Sequence, residues 1–132
     1  MLNVDKFSSV PIYEQITQQF LKLIISGSLK PEDQIPSVRS LSMELSINPN
    51  TIQKAYNELE SRGITSSVPG VGRFVSKNAP AILREYYSEK LDEMRDTVYT
   101  LAEANVDEER VLALIRSVYE NVKNDKEKRS KS

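Results

Sequence analysis

Residues 46–60 read "SINPNTIQKAYNELE". Ile52, Ala55, Tyr56 and Leu59 recur at helical spacing, which predicts an amphipathic helix with one buried face. Asn48 stands directly before Pro49. An asparagine that caps, followed by a proline at the first helical position, marks a helix start. Gly63, just after Arg62, is free to take positive φ and end the helix. The other face carries Asn50, Gln53, Lys54 and Asn57, with Asn48 and Thr51 clustered at the helix start. That face is rich in amides and holds one cation. It is either a surface that hydrogen-bonds a specific partner or a solvated one.

The flanking segments supply its context. Val10-Pro11-Ile12 opens a helix whose Ile12, Ile16, Phe20, Leu23 and Ile24 form a stripe, with Gly27 as the stop. "SLKPEDQIP", residues 28–36, reads as a loop because of its two prolines and the Glu32-Asp33 pair. Ser37 then caps a short helix with Val38, Leu41 and Leu45 on one side, running to about Ser46. Downstream, "ITSSV" and "GRFVS" are short β-compatible runs. The turn signal Val68-Pro69-Gly70-Val71-Gly72 lies between them, which predicts a β-hairpin.

Asn78-Ala79-Pro80 punctuates the chain, and a boundary is expected there. Residues 81–104 predict a long helix with a stripe of Leu83, Tyr87, Leu91, Met94, Val98 and Leu101. Asn105 is suited to end it in the left-handed conformation, and Asp107 to cap a last helix. That helix carries Val111, Leu112, Ile115, Val118, Tyr119 and Val122. The final "KNDKEKRSKS" has no apolar residue and reads as a disordered tail. The expected division is therefore 1–78, 79–124 and 125–132. The fold class is mainly α with a small β-hairpin.

Composition narrows the chemistry. The 132 residues include neither Cys nor His, so thiolate and imidazole catalysis, Cys/His zinc sites and disulfides are excluded. Four glycines, three of them between 63 and 72, leave no glycine-rich phosphate loop. A carboxylate-only site would need paired acids lining a cleft, whereas the acids here sit mainly on exposed helical faces. No enzyme and no cofactor is expected. No apolar run approaches the roughly 20 residues that span a bilayer, and MLNVDKFSSV lacks the pattern of a signal peptide. The cytoplasm is the expected location.

Two helices joined by a tight Ser-Ile-Asn-Pro turn, with a hairpin after the second, describe a winged helix-turn-helix. In that arrangement the second helix enters the DNA major groove, led by its N-terminal residues. Asn and Gln give and take a hydrogen bond at once and so match adenine N6 and N7. The net charge of −1 speaks against a nucleic-acid binder. Residues 1–80, however, hold eight cations against seven acids, enough for a locally basic face.

Residues 11–75 resemble the GntR family of bacterial transcription regulators. The likeness rests on "PSVRSLS", "NPNTIQKAYNELE" and "PGVGRFV" in this order and spacing. The short helical C-terminal part looks like the YtrA-like branch. The resemblance implies a DNA-binding regulator, often a repressor, acting as a homodimer on double-stranded DNA, with an effector it does not name. Position by position it implies DNA contacts from Arg39, Asn48, Asn50, Thr51 and Gln53, with Gly70 and Gly72 at the wing tip. Lys54 lies on the same helix face, and Arg73 stands where it would compensate for a wing cation missing at Val71. Pro49 and Gln53 replace arginines common in the wider family. Glu32 replaces a glycine common after the loop proline.

Residues 81–122 hold two apolar stripes that a lone helical hairpin leaves uncovered. A second copy about a two-fold axis would cover them, through Leu83, Tyr87, Leu91, Met94, Val98, Leu101, Val111, Ile115 and Val118. The alternative is packing back on the chain's own winged helix. The rival function is a winged helix used as a protein-interaction module without DNA, which the near-neutral charge favours.

Overall fold

Pro11 is the N-cap of α1 (Ile12–Ile25), a position where its missing N–H leaves no helical bond unmade. Gly27 follows the helix at φ 84°. Ile16, Phe20, Leu21 and Ile24 are buried; Leu21 takes the core place expected of Leu23, which is half-buried. The computed structural model describes residues 2–131, with side chains through Lys128. Residues 2–10 lie along α1, tied down by two glutamines that mimic a strand partner. Gln19 bonds both the N–H and the carbonyl of Asn3, and Gln15 bonds both of those groups of Asp5.

The segment read as a loop contains a strand, β1 (Gln34–Ile35). Two residues bounded by prolines carry no period that sequence reading can detect. The strand exists because β3 (Gly72–Val75) pairs with it, Gln34 opposite Phe74 and Ile35 opposite Arg73. β3 also pairs with β2 (Thr65–Val68), giving an antiparallel sheet in the order β1-β3-β2. The expected hairpin is thus two strands of a three-stranded sheet.

Ser37 caps α2 (Val38–Leu45), its hydroxyl accepting the Ser40 N–H at 3.0 Å. The turn to the next helix runs through Ser46 in the left-handed conformation, φ 54°. The Ser42 hydroxyl closes it from below by donating to the Ile47 carbonyl. α3 (Pro49–Ser61) starts on Pro49, capped by Asn48, and Gly63 follows at φ 77°. Ile52, Ala55, Tyr56 and Leu59 face the core as expected. Tyr56 is the largest fully buried side chain. It meets the Phe20 ring edge-on at 5.7 Å, and its hydroxyl donates to the Pro36 carbonyl at 2.7 Å. Burial holds its phenol well above the usual pKa.

α4 (Ala79–Glu103) corrects the expected boundary. Its first turns belong to the winged-helix core: Ala79 and Leu83 are fully buried there, and Ile82 and Tyr86 pack against it. The compact unit runs to Ser88, ten residues beyond the boundary placed at 78. The local sequence break at Asn78-Ala79-Pro80 marks a helix start and not a domain edge.

The second unit, residues 89–132, holds the rest of α4 and α5 (Glu108–Lys131). Asn105 ends α4 at φ 61°, as its type suggested. The half-buried apolar residues cluster about this turn: Val98 and Leu101 before it, Val106 within it, Val111 and Ile115 after it. Farther out the same stripes are open, with Leu91 63%, Met94 41% and Val118 50% exposed. Residues 125–131, expected to be disordered, continue α5. Their lysines, Glu127 and Arg129 are good helix formers, and extending a formed helix avoids the cost of nucleation. Ser132 lies outside the described residues.

Candidate nucleic-acid interface

The start of α3 is fixed before any ligand arrives. The Asn48 side-chain oxygen accepts the Asn50 N–H at 2.8 Å, so that oxygen belongs to the cap. The Thr51 and Ile52 N–H groups reach the Asn48 carbonyl. Asn50 is exposed and Thr51 and Gln53 are half-exposed. They occupy the first two turns, where the helix dipole favours an anion.

Farther along, the polar side chains are held in pairs. Gln53 donates its amide N–H to the Asn57 side-chain oxygen at 2.8 Å. The Lys54 ammonium sits 4.0 Å above the centre of the Tyr13 ring, contributed by α1. Tyr13 donates in turn to the Glu14 carboxylate at 3.2 Å. That hydrogen bond and the carboxylate's charge raise the Tyr13 pKa. Glu58 is paired with Arg62 at 2.9 Å, one turn on. Arg39, in the first turn of α2, is exposed, and among the described residues no acid lies within ion-pairing distance.

The wing is a type II turn. Val71 N–H closes on the Val68 carbonyl at 2.9 Å, with Pro69 second and Gly70 third at φ 76°. Around Gly70 there is open space. Gly72, at φ 144°, has the Gln34 side chain where a Cβ would stand, and that amide donates to the Val71 carbonyl at 3.3 Å. Gly70 therefore leaves the tip slim, while Gly72 lets β1 and the wing close together.

Arg73 is not a wing-tip cation. Its side chain is only 20% exposed and turns inward. The guanidinium lies 5.4 Å from the Tyr56 ring centre and 3.7 Å from Glu60 at the end of α3. Glu60 also accepts the Ser67 hydroxyl at 2.7 Å. Glu60 thereby joins α3 to both β2 and β3, and Arg73 serves that joint. Strand alternation explains the inward turn: Arg73 lies opposite Ile35, whose side chain is in the core.

Of the nine expected contact residues, Arg39, Asn48, Asn50, Thr51, Gln53 and Lys54 share the α2–α3 region, and Gly70 and Gly72 shape the wing. Arg73 leaves the set. Among the expected dimer residues, Leu83 also leaves it, being 1% exposed inside the winged-helix core. Tyr13 and Asn57 were missed as holders of Lys54 and Gln53. The i, i+4 spacing of Gln53 and Asn57 was a readable signal for one of them. For Tyr13 there was none, since its partner is forty-one positions away.

Residues 12–75 match the family described as bacterial regulatory proteins, gntR family. The transcriptional repressor YtrA of Bacillus subtilis is 39% identical over 127 residues, covering 96% of this chain and 98% of that relative. The chain belongs to the GntR family. It is a helix-turn-helix DNA-binding transcriptional regulator, of a family of regulators and not of enzymes. A GntR family transcriptional regulator from Listeria monocytogenes has a similar structure, with TM-score 0.66 and 29% identity, over 83% of this chain and 96% of that one. The AraR DNA-binding domain, solved in complex with operator ORX1, matches 57% of this GntR chain and 93% of its own, at TM-score 0.51 and 31% identity. Among the described residues no helix is long and apolar enough to cross a membrane.

Proposed function

We propose that this chain is a cytoplasmic repressor that binds a palindromic operator as a homodimer, each protomer reading one half-site in the major groove. The observation that carries this reading is the fixed, amide-lined start of α3. Asn50, Thr51 and Gln53 stand in the turns that reach base edges in helix-turn-helix proteins. Asn48 contributes its cap and its remaining amide N–H groups. Arg39 and Lys54 supply phosphate contacts, and the slim tip at Gly70 and Gly72 suits a minor groove.

The uncovered stripes of residues 89–122 support a second copy as partner, through Leu91, Met94, Val98, Leu101, Val111, Ile115 and Val118. Tyr87, exposed at the edge of the first unit, extends that stripe. The YtrA relative is named a repressor, and AraR was solved on an operator, which favours the same role here. In this reading residues 1–78 together with the start of α4 are the DNA-binding part, and the later helices assemble the dimer.

The test is a titration of the protein against its own upstream DNA and random DNA at several salt concentrations. Binding that prefers the upstream DNA, with a footprint of two half-sites about 34–36 Å or a multiple apart, supports the proposal. Equal binding to both, even at low salt, sinks it.

A further inference from the structure

We infer that Glu60 is a positioning residue for the wing: from the end of α3 its carboxylate holds both strands of the hairpin, so that the tip meets the minor groove when the start of α3 meets the major groove. The DNA side of this rests on the roles proposed above for α3 and the wing. The hairpin has two unlike halves. Thr65 and Val75, at its base, are buried in the core, whereas no residue from Ser66 to Phe74 is fully buried. The far half therefore lacks the apolar packing that fixes the base. Gln34 ties it to β1, but β1 is a strand of the same sheet and does not relate the tip to α3.

Glu60 supplies that relation. One carboxylate oxygen accepts the Ser67 hydroxyl of β2 at 2.7 Å, and the other lies 3.7 Å from the Arg73 guanidinium of β3. Ser67 and Arg73 stand opposite each other in the ladder, so one side chain grips the hairpin across its width. Arg73 depends on that grip. Its Nη1 is buried, and among the described residues no hydrogen bond reaches it. Glu60 is the acid that balances its charge. Without the carboxylate a mostly buried cation is left uncompensated beside the Tyr56 ring, and it gains by swinging out to water, which loosens β3 from α3. A half-exposed ion pair adds little to global stability. The effect is local: a released wing must be ordered again each time it binds.

The chain has no cysteine, so a nitroxide can be placed on Val71→Cys at the tip and, as a control, on Met43→Cys in α2, both at exposed positions. In the DNA-free protein Glu60→Ala should narrow the Val71 label's spectrum and leave the Met43 label's spectrum as it was. Ser67→Ala combined with Arg73→Met removes both partners and should do the same; adding Glu60→Ala to that pair should change nothing further. On the upstream DNA, Glu60→Ala should lose the wing's minor-groove protection from hydroxyl radicals and keep the major-groove protection from dimethyl sulfate. Affinity should fall by about three- to tenfold.

An unchanged Val71 spectrum overturns the inference. So does narrowing at both labels, since Glu60 would then hold the fold and not the wing. If the unaltered chain itself gives no minor-groove protection, the proposed role of the wing fails instead, and the spectra still judge Glu60 by themselves.

Discussion

Leu83 and Leu91 lie eight residues apart on one helix and in one apolar stripe, yet their substitution should fail in opposite ways. Leu83 is sealed inside the winged-helix unit, whereas Leu91 is 63% exposed. Leu83→Ala removes a buried side chain and leaves a cavity, at a cost of about 2–5 kcal/mol of protomer stability. Leu91→Asp loses nothing comparable in the protomer. In a two-fold dimer it acts twice. Covering the open part of one leucine is worth roughly 1–2 kcal/mol, so two amount to about 2–4 kcal/mol before the cost of burying a carboxylate. The dimer dissociation constant should rise by roughly a hundredfold or more.

Sedimentation across a concentration series reads the second quantity, and urea unfolding followed by far-UV dichroism reads the first. Leu83→Ala should unfold at lower urea while its dimerisation, below the unfolding transition, stays near normal. Leu91→Asp should sediment as a folded monomer at concentrations where the unaltered chain is dimeric. A Leu91→Asp protein with undiminished self-association would refute the assigned interface. A Leu83→Ala protein of full stability would refute the placement of the start of α4 in the first unit's core.

Two further outcomes follow from single positions. Glu32 holds φ 73°, which strains a residue with a Cβ, and its ion pair with Lys77 is well exposed at 3.6 Å. Glu32→Gly should therefore stabilise the fold by about 0.5–1 kcal/mol once glycine's extra unfolded-state entropy is set against the relief, and a lowered urea midpoint would contradict this. Tyr13→Leu should weaken operator binding about two- to fivefold by releasing Lys54, and Tyr13→Phe should not, because the ring and not the hydroxyl faces the ammonium. An equal loss in a Lys54→Met background would show that Tyr13 acts by another route.

The elements legible in the sequence are those whose signals are local. The cap at Asn48, the proline at 49, the stripe of α3 and the left-handed Asn105 each depend on residues within a turn of one another. What escaped was set from a distance. β1 exists through pairing with β3 some forty residues on, and Lys54 is held by a tyrosine on α1. Leu83 shows the same limit within a single helix. Periodicity identifies an apolar stripe but not which neighbour covers each part of it. Here one continuous stripe is divided between a protomer core and an open face. Arg73 was expected to compensate for the wing cation that the family resemblance puts at Val71, whereas the pairing register puts it beneath the sheet.

The low charge of the chain acquires a physical meaning once the cations are placed. In the first unit Arg62, Arg73 and Lys77 are each engaged by a glutamate. Near the α2–α3 face, Arg39 and Lys54 are the cations without such a partner among the described residues. Two phosphate contacts per protomer, four per dimer, give an expected slope of log affinity against log salt of about −3.6. In the proposed dimer that is shallow for a specific regulator, which leaves base contacts a larger share of the affinity than ionic attraction. Arg39→Ala should flatten the slope by about one for each protomer. Arg73→Met should leave it unchanged, since that guanidinium faces Glu60 and Tyr56. A steep slope near −8, or a flattened one in Arg73→Met, would mean that cations elsewhere meet the DNA and that the interface extends well beyond α2, α3 and the wing.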